Sequence, residues 1–213
     1  MGVLKVLDLF SGIGGFSLGL EKTGGFETTA FCEVEKYPRS VLAKHWPDVP
    51  IYNDVRELTG ERLRANGIDV DVICGGFPCQ DISTAGKGAG LRGERSGLWF
   101  EYARIIEEVG PSWVIIENVS ALRGRGLSTV LQNLSEIGYD AEWHCITAAY
   151  VGAPHRRDRI WIVAYPNNNP KAKRILQNVP ITHEKEERPQ KQHQNTANGT
   201  GNASKTPRVL ADS

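Results

Sequence analysis

Short runs of β-branched and aromatic residues, alternating with amphipathic segments over most of the chain, leave little choice of architecture. Such alternation specifies an α/β domain on a mostly parallel sheet. Val3 to Leu9 reads as a first strand, and the glycine-rich turn Ser11 to Gly15 leads into a helix that ends near Gly24. Thr28 to Phe31 is a second strand, Tyr37 to Trp46 a helix with Pro38 in its tolerant first turn, and the segment around Ile51 a short third strand. Val70 to Gly75 reads as a fourth strand, apolar enough to be buried on both faces. Trp99 to Val109 is a helix, Trp113 to Ile116 a fifth strand, and Leu127 to Ile137 a further helix. Ala141 to Ala148 and Arg159 to Ala164 are expected to form an antiparallel pair at one edge.

The alternation stops at Tyr165, after which polar residues take over and no aromatic residue appears again. We therefore expect one domain over residues 1–165 and a polar tail over 166–213, mostly disordered or cut short. Within the domain, 40% hydrophobic residues are enough for a core. The 25 basic and 25 acidic side chains cancel, so any polyanion contact requires cations gathered on one face. No apolar run is long enough to span a bilayer, and the N-terminus has no secretory pattern. The four cysteines, Cys32, Cys74, Cys79 and Cys145, form no CxxC pair and no zinc-type spacing, so no metal is expected and a reducing cytoplasm fits them.

Four segments carry chemistry. Asp8-Leu9-Phe10-Ser11-Gly12-Ile13-Gly14-Gly15 closes the first strand with glycines that let a backbone approach a ligand, although the spacing is not the dinucleotide G-x-G-x-x-G. Glu33, ending the second strand, lies at the distance expected of a carboxylate gripping ribose hydroxyls, and Asp54 after the third strand suits an adenine amino group. Alone, these features say nucleoside, or merely a glycine turn with surface acids. Gly75-Gly76-Phe77-Pro78-Cys79-Gln80 follows the fourth strand, where open α/β sheets bind ligands. Cys32 and Cys74 read as structural cysteines; Cys79, in a rigid turn, does not. Glu117-Asn118-Val119 follows the fifth strand, and a carboxylate emerging there has either a partner or a task. Pro154-His155-Arg156-Arg157-Asp158-Arg159 joins the last two strands, with alternation placing Arg157 and Arg159 on one side.

In this order, DLFSGIGGF, GGFPCQDIS, SGLWFEYARII, ENV and PHRRDR resemble the DNA cytosine-5 methyltransferase family over roughly Val3 to Ala164. The resemblance implies an open, mostly parallel doubly wound sheet of the S-adenosylmethionine-dependent methyltransferase (Rossmann-like) type, with an antiparallel edge strand. It implies S-adenosylmethionine as cofactor, double-stranded DNA as partner, and methyl transfer to carbon 5 of a flipped-out cytosine. Cys79 would add to carbon 6 as a thiolate, making carbon 5 electron-rich. Glu117 would protonate or hydrogen-bond ring nitrogen 3, through a carboxyl held neutral or sharing a proton. Arg157 and Arg159 would stabilise developing negative charge and depress the thiol pKa.

The resemblance also assigns Phe10, Gly12, Ile13, Gly14, Glu33, Val34, Asp54, Val55, Pro78 and Leu98 to the cofactor pocket. Val34 and Val55 would flank the adenine, with Val34 standing where family members often carry an aromatic residue. Gln80, Ser83, Lys87, Arg92 and Arg95 would contact DNA from a lid over residues 80–95, and Arg123, Arg125 and Arg156 would widen the basic face. Complete members continue into a target-recognition domain and a closing Gly-Asn-x-Val segment, and neither is found here. A monomer is expected, as a fragment or as half of a split enzyme with a complementing polypeptide, in a prokaryotic cell or its virus. Restriction-modification is the family's common setting. Two other readings stay open: a tRNA cytosine-5 methyltransferase, and a non-catalytic remnant that binds cofactor or nucleic acid.

Overall fold

A computed structural model describes residues 2–78 and 97–177, which fall within one compact unit, Met1–Asn178. The chain runs β1 (Leu4–Leu9), α1 (Gly15–Glu21), β2 (Phe26–Cys32), α2 (Lys36–His45), β3 (Ile51–Tyr52), α3 (Gly60–Ala65) and β4 (Val72–Gly75). After residue 96 come α4 (Leu98–Val109), β5 (Trp113–Val119), α5 (Leu122–Arg125), α6 (Leu127–Glu136) and β6 (Tyr139–Thr147). A 3-10 turn (Ala148–Val151), β7 (Asp158–Pro166) and α7 (Pro170–Gln177) complete it.

The seven strands form one sheet in the order β3-β2-β1-β4-β5-β7-β6. Strands β1 to β5 pair in parallel, and β7 runs antiparallel to both β5 and β6. This is the expected doubly wound sheet with its antiparallel pair at one edge. The strand order reverses between β1 and β4, and a crevice opens beyond the carboxyl ends of the strands at such a point.

One face of the sheet carries the larger core. Leu7, Leu9, Ile73, Val114, Ile116, Ile160 and Ile162 meet Trp99, Tyr102, Ile106, Val130 and Leu134 there. A twelve-residue α4 supplies most of the cover because its apolar positions recur at helical spacing and Gly110, at φ +65°, ends it cleanly. The indole N–H of Trp99 donates to Asn133 Oδ1 at 3.0 Å, satisfying both groups in the buried seam between α4 and α6. Opposite, a smaller cluster of Val6, Val72 and Cys74 packs with Phe16 and Leu20 of α1.

Several local readings change. β4 begins at Val72, because the Asp71 carboxylate accepts the Lys5 backbone N–H (2.9 Å) and stands outside the apolar run. β5 extends through Val119, so Glu117 and Asn118 sit within the strand, held by pairing with Trp161 and Ile160. Helix α3 was not foreseen; its signals were Thr59, which accepts from Arg62 N at 3.1 Å, and Glu61 in the first turn. Beyond Tyr165, α7 adds a helix that buries Ala172. Among the described residues, no helix is long and apolar enough to cross a membrane.

Candidate active site

The cofactor-loop residues gather where β1, β2 and β3 end side by side. Ser11 anchors the loop: its hydroxyl donates to Asp8 O (2.6 Å), and its backbone N–H donates to Cys32 O (3.3 Å). Glu33 is nearly buried, and its two oxygens accept from Gly12 N (2.7 Å) and Glu35 N (2.8 Å). The predicted ribose carboxylate thus also holds the loop, with lone pairs to spare for a hydroxyl. Gly12 has φ +53°, and a Cβ there would meet no atom within 4 Å, so the backbone lies open. Ile13 and Val34 are both exposed.

Gly14 also has a packing task. At φ +83°, its Cβ would lie 2.6 Å from the Trp46 ring, so its smallness serves packing against α2. Val55 is likewise in the core, at 4% exposure, rather than on the surface beside a ligand. Asp54 is held by Arg56, whose guanidinium donates to it at 2.6 Å; those hydrogen bonds keep the carboxyl below its usual range.

Beneath the loop lies Asp8, a residue of the first segment to which the sequence alone gives no role. Asp8 is fully buried, accepts from Ser17 Oγ at 2.7 Å, and has its Oδ1 without a partner among the described residues. Burial pushes its pKa up to about 7, with the Glu33 charge adding to the rise and the Ser17 and Cys74 hydrogen bonds opposing it. Burial also pushes the Cys32 thiol up to about 12 and the Cys74 thiol well above its ordinary value, so neither can serve as a thiolate near neutrality.

The second half of the site forms where β4, β5 and β7 meet. Gly75, at φ +152°, lies so close to β1 that a Cβ would fall 2.0 Å from Leu9 O. A Cβ on Gly76 would fall 2.9 Å from Glu117 Oε2. The Phe77–Pro78 turn therefore leaves the sheet directly against the Glu117 carboxylate. Asn118 fastens it, donating from Nδ2 to Phe77 O at 2.8 Å while its Oδ1 accepts from Val119 N. Pro78 is exposed and Leu98 half-buried in the first turn of α4. Cys79 and the proposed DNA-loop residues Gln80, Ser83, Lys87, Arg92 and Arg95 lie outside the described residues.

Glu117 Oε1 pairs with Arg159 Nε at 2.7 Å. The registers Glu117↔Trp161 and Val119↔Arg159 put both side chains on one face of the sheet. Arg157 departs from the expected alternation: it precedes β7, is exposed, and has φ +35°. Among the described residues, Phe10 and Arg157 are the two non-glycine residues in the left-handed region. Such conformations cost about 1–3 kcal/mol and persist where surrounding structure enforces them, commonly at functional sites. An aromatic group joins the two halves: Tyr102 stacks on Phe10 (6.1 Å between ring centroids) and meets Phe77 edge-on (6.4 Å).

Comparison with known proteins agrees with this arrangement. A family model described as C-5 cytosine-specific DNA methylase matches residues 4–209. Type II methyltransferase M2.BsuMI of Bacillus subtilis (strain 168) is 39% identical over 176 residues, covering 79% of this chain and 43% of that protein. Orphan methyltransferase M.SPRI of Bacillus phage SPR is 33% identical over 170 residues, covering 76% and 38% respectively. A crystal structure of a Spodoptera frugiperda DNMT2 mutant superimposes with a TM-score of 0.64 at 24% identity, over 78% of this chain and 50% of the other, which speaks to the fold alone. The chain spans about half the length of the curated relatives it matches.

Proposed function

The chain belongs to the C-5 cytosine-specific DNA methylase family, and from that membership we propose that it carries the catalytic half of a DNA cytosine-5 methyltransferase. The observation that carries the reading is the Glu117 carboxylate, one oxygen held by Arg159 and the other over Gly76, three residues before Cys79. That juxtaposition brings an acid and the nucleophile segment to one crevice. Cys79 is the residue we assign to bond carbon 6. Arg159 holds Oε1 of Glu117, so Oε2 is the oxygen left to meet ring nitrogen 3 of the base. Protonation or hydrogen bonding there withdraws electrons from carbon 6 as the sulfur adds. Arg157, exposed at the strand entry, is assigned to the developing charge.

The β1–β3 side fits S-adenosylmethionine. An open glycine backbone at Gly12, a carboxylate at Glu33 with free lone pairs, and exposed apolar surface at Ile13 and Val34 suit a nucleoside. When bound, that cofactor supplies an electrophilic methyl group. Phe10, Gly12, Ile13, Glu33, Val34 and Asp54 would hold it, with Pro78 and Leu98 bordering the sulfonium side. Gly14 and Val55 would support the pocket from behind. The catalytic domain is assigned to the stretch from the N-terminus through the end of α7, past the boundary at residue 165 expected from the sequence, with the polar tail after it.

The test is adduct capture on duplex DNA containing 5-fluorocytosine, with S-adenosylmethionine present. The wild-type chain is expected to form a denaturation-resistant complex that Cys79→Ser lacks. A complex that survives in Cys79→Ser removes Cys79 as nucleophile. Methyl transfer to tRNA with none to duplex DNA replaces the substrate.

A further inference from the structure

We propose that the turn between β6 and β7 is a DNA-contact surface, in which Tyr150 and Val151 meet an unstacked base while Arg123, Arg125, His155 and Arg156 meet phosphates. The inference rests on the DNA reading above and adds to it a contact outside the reacting groups.

Tyr150 and Val151 are among the most exposed large apolar side chains of the described residues, at 70% and 73%. Scattered apolar exposure is ordinary on a protein surface. This pair is adjacent, and its backbone is pinned. Thr147 Oγ1 accepts from Tyr150 N at 3.0 Å, and Ala148 N donates to Arg156 O at 2.7 Å. Ala153 N donates to Ala148 O at 3.0 Å, and Gly152 closes the turn at φ +90° with its N–H on Ala149 O. Fixing the backbone in advance lowers the entropy lost when the two side chains are covered.

Register places the turn. Thr147 pairs with Asp158 where β6 ends and β7 begins, and the next residue, Arg159, pairs with Val119 at the end of β5. The turn therefore rises from the rim that carries Glu117, and α5 leaves β5 from the same rim. Arg123 and Arg125 are exposed on α5, and His155 and Arg156 are exposed on the turn. Among the described residues, none of these four has an ion pair, and the nearby carboxylate Glu117 is already taken by Arg159. A rim of unneutralised guanidinium groups around an exposed ring complements a ligand that is anionic along its length and presents flat π faces. Nucleic acid has both properties, and base flipping at the adjacent site opens a gap in the stack.

The test compares two short labelled duplexes, one fully paired and one with a single unpaired cytosine, bound by the full chain at several salt concentrations. Wild type is expected to prefer the unpaired-base duplex. Tyr150→Ala should reduce affinity for it about tenfold while changing the paired duplex less than about twofold, and Tyr150→Phe should retain binding, since stacking needs no hydroxyl. Arg156→Gln should weaken both duplexes alike and lower the salt slope by about 1. Tyr150→Ala that melts and binds like wild type overturns the inference and leaves the DNA reading intact. Equal loss on both duplexes, or a Tyr150→Phe as weak as Tyr150→Ala, overturns the stacking contact. A wild-type chain that binds neither duplex but binds tRNA overturns the DNA reading, and this inference with it.

Discussion

Asp8 shows how one buried side chain can make the stability of a fold depend on pH. Its unfolded carboxyl titrates near 3.8 and its folded one at about 7. A raised acid pKa means that the folded state holds the proton longer. The contribution to stability is therefore complete below about pH 4, is lost as pH rises towards 7, and is flat beyond. Asp8→Asn keeps an acceptor for the Ser17 hydroxyl and has no charge to desolvate. Its melting temperature relative to wild type is expected to rise steadily between pH 4 and 7 and then level off; a constant difference would remove Asp8 as a buried titrating group. This residue also marks where reading the sequence stopped short. Asp8, Ser11 and Glu33 were all visible as motif letters, but only packing shows that Glu33 grips Gly12 and that Asp8 is sealed beneath α1. Motif position alone does not tell that Gly14 also packs against Trp46, or that Val55 lies in the core.

Among the elements, β5 carries two residues of the site, Glu117 and Asn118, and is held in register from both sides. It pairs with β4 in parallel on one side and β7 antiparallel on the other, so it is rigid along both edges. That rigidity extends to the Phe77–Pro78 turn through the Asn118–Phe77 hydrogen bond. Asn118→Ala leaves the Phe77 carbonyl unpaired in a buried place, at a cost of about 1–3 kcal/mol. A turn displaced by even a fraction of an ångström should lower kcat at least tenfold, on the order of what misplacement costs elsewhere. S-adenosylmethionine affinity, measured by calorimetry, should fall much less than kcat, because Gly12 and Glu33 lie across the switch point and Pro78 alone of the assigned cofactor residues sits on the turn. An equal loss of cofactor affinity and kcat would instead mean that the two halves collapse as one. Most elements were legible because each strand is a short apolar run bounded by glycine or a charge. The errors arose where pairing overrode local composition: Glu117 and Asn118 look like a loop and are strand, because β7 pairs with them. Helix α3 is one and a half turns of mostly polar residues, and the amphipathic pattern that reveals longer helices has no room to develop there.

On the scale of the molecule, the described unit does not stop with the last aromatic residue. α7 buries Ala172, and Ala172 N donates to Asn169 Oδ1 at 3.1 Å. A chain ended after Asn169 is expected to melt about 3 °C below one ended after Gln177, the shift that loss of roughly 1 kcal/mol gives in a domain of this size. Equal melting temperatures would show that the helix adds nothing to the fold. The polar composition beyond Tyr165 hid α7, since its few apolar residues, Ala172, Ile175 and Leu176, are too few to show a helical pattern among charged neighbours. A last point concerns Tyr102, the ring on which both Phe10 and Phe77 rest. Substitutions at Phe10 and substitutions at Phe77 would begin on opposite banks of the crevice, yet they share one footing. Directed changes to either should be screened jointly, since an enlarged berth at Phe10 tilts the floor beneath its neighbour.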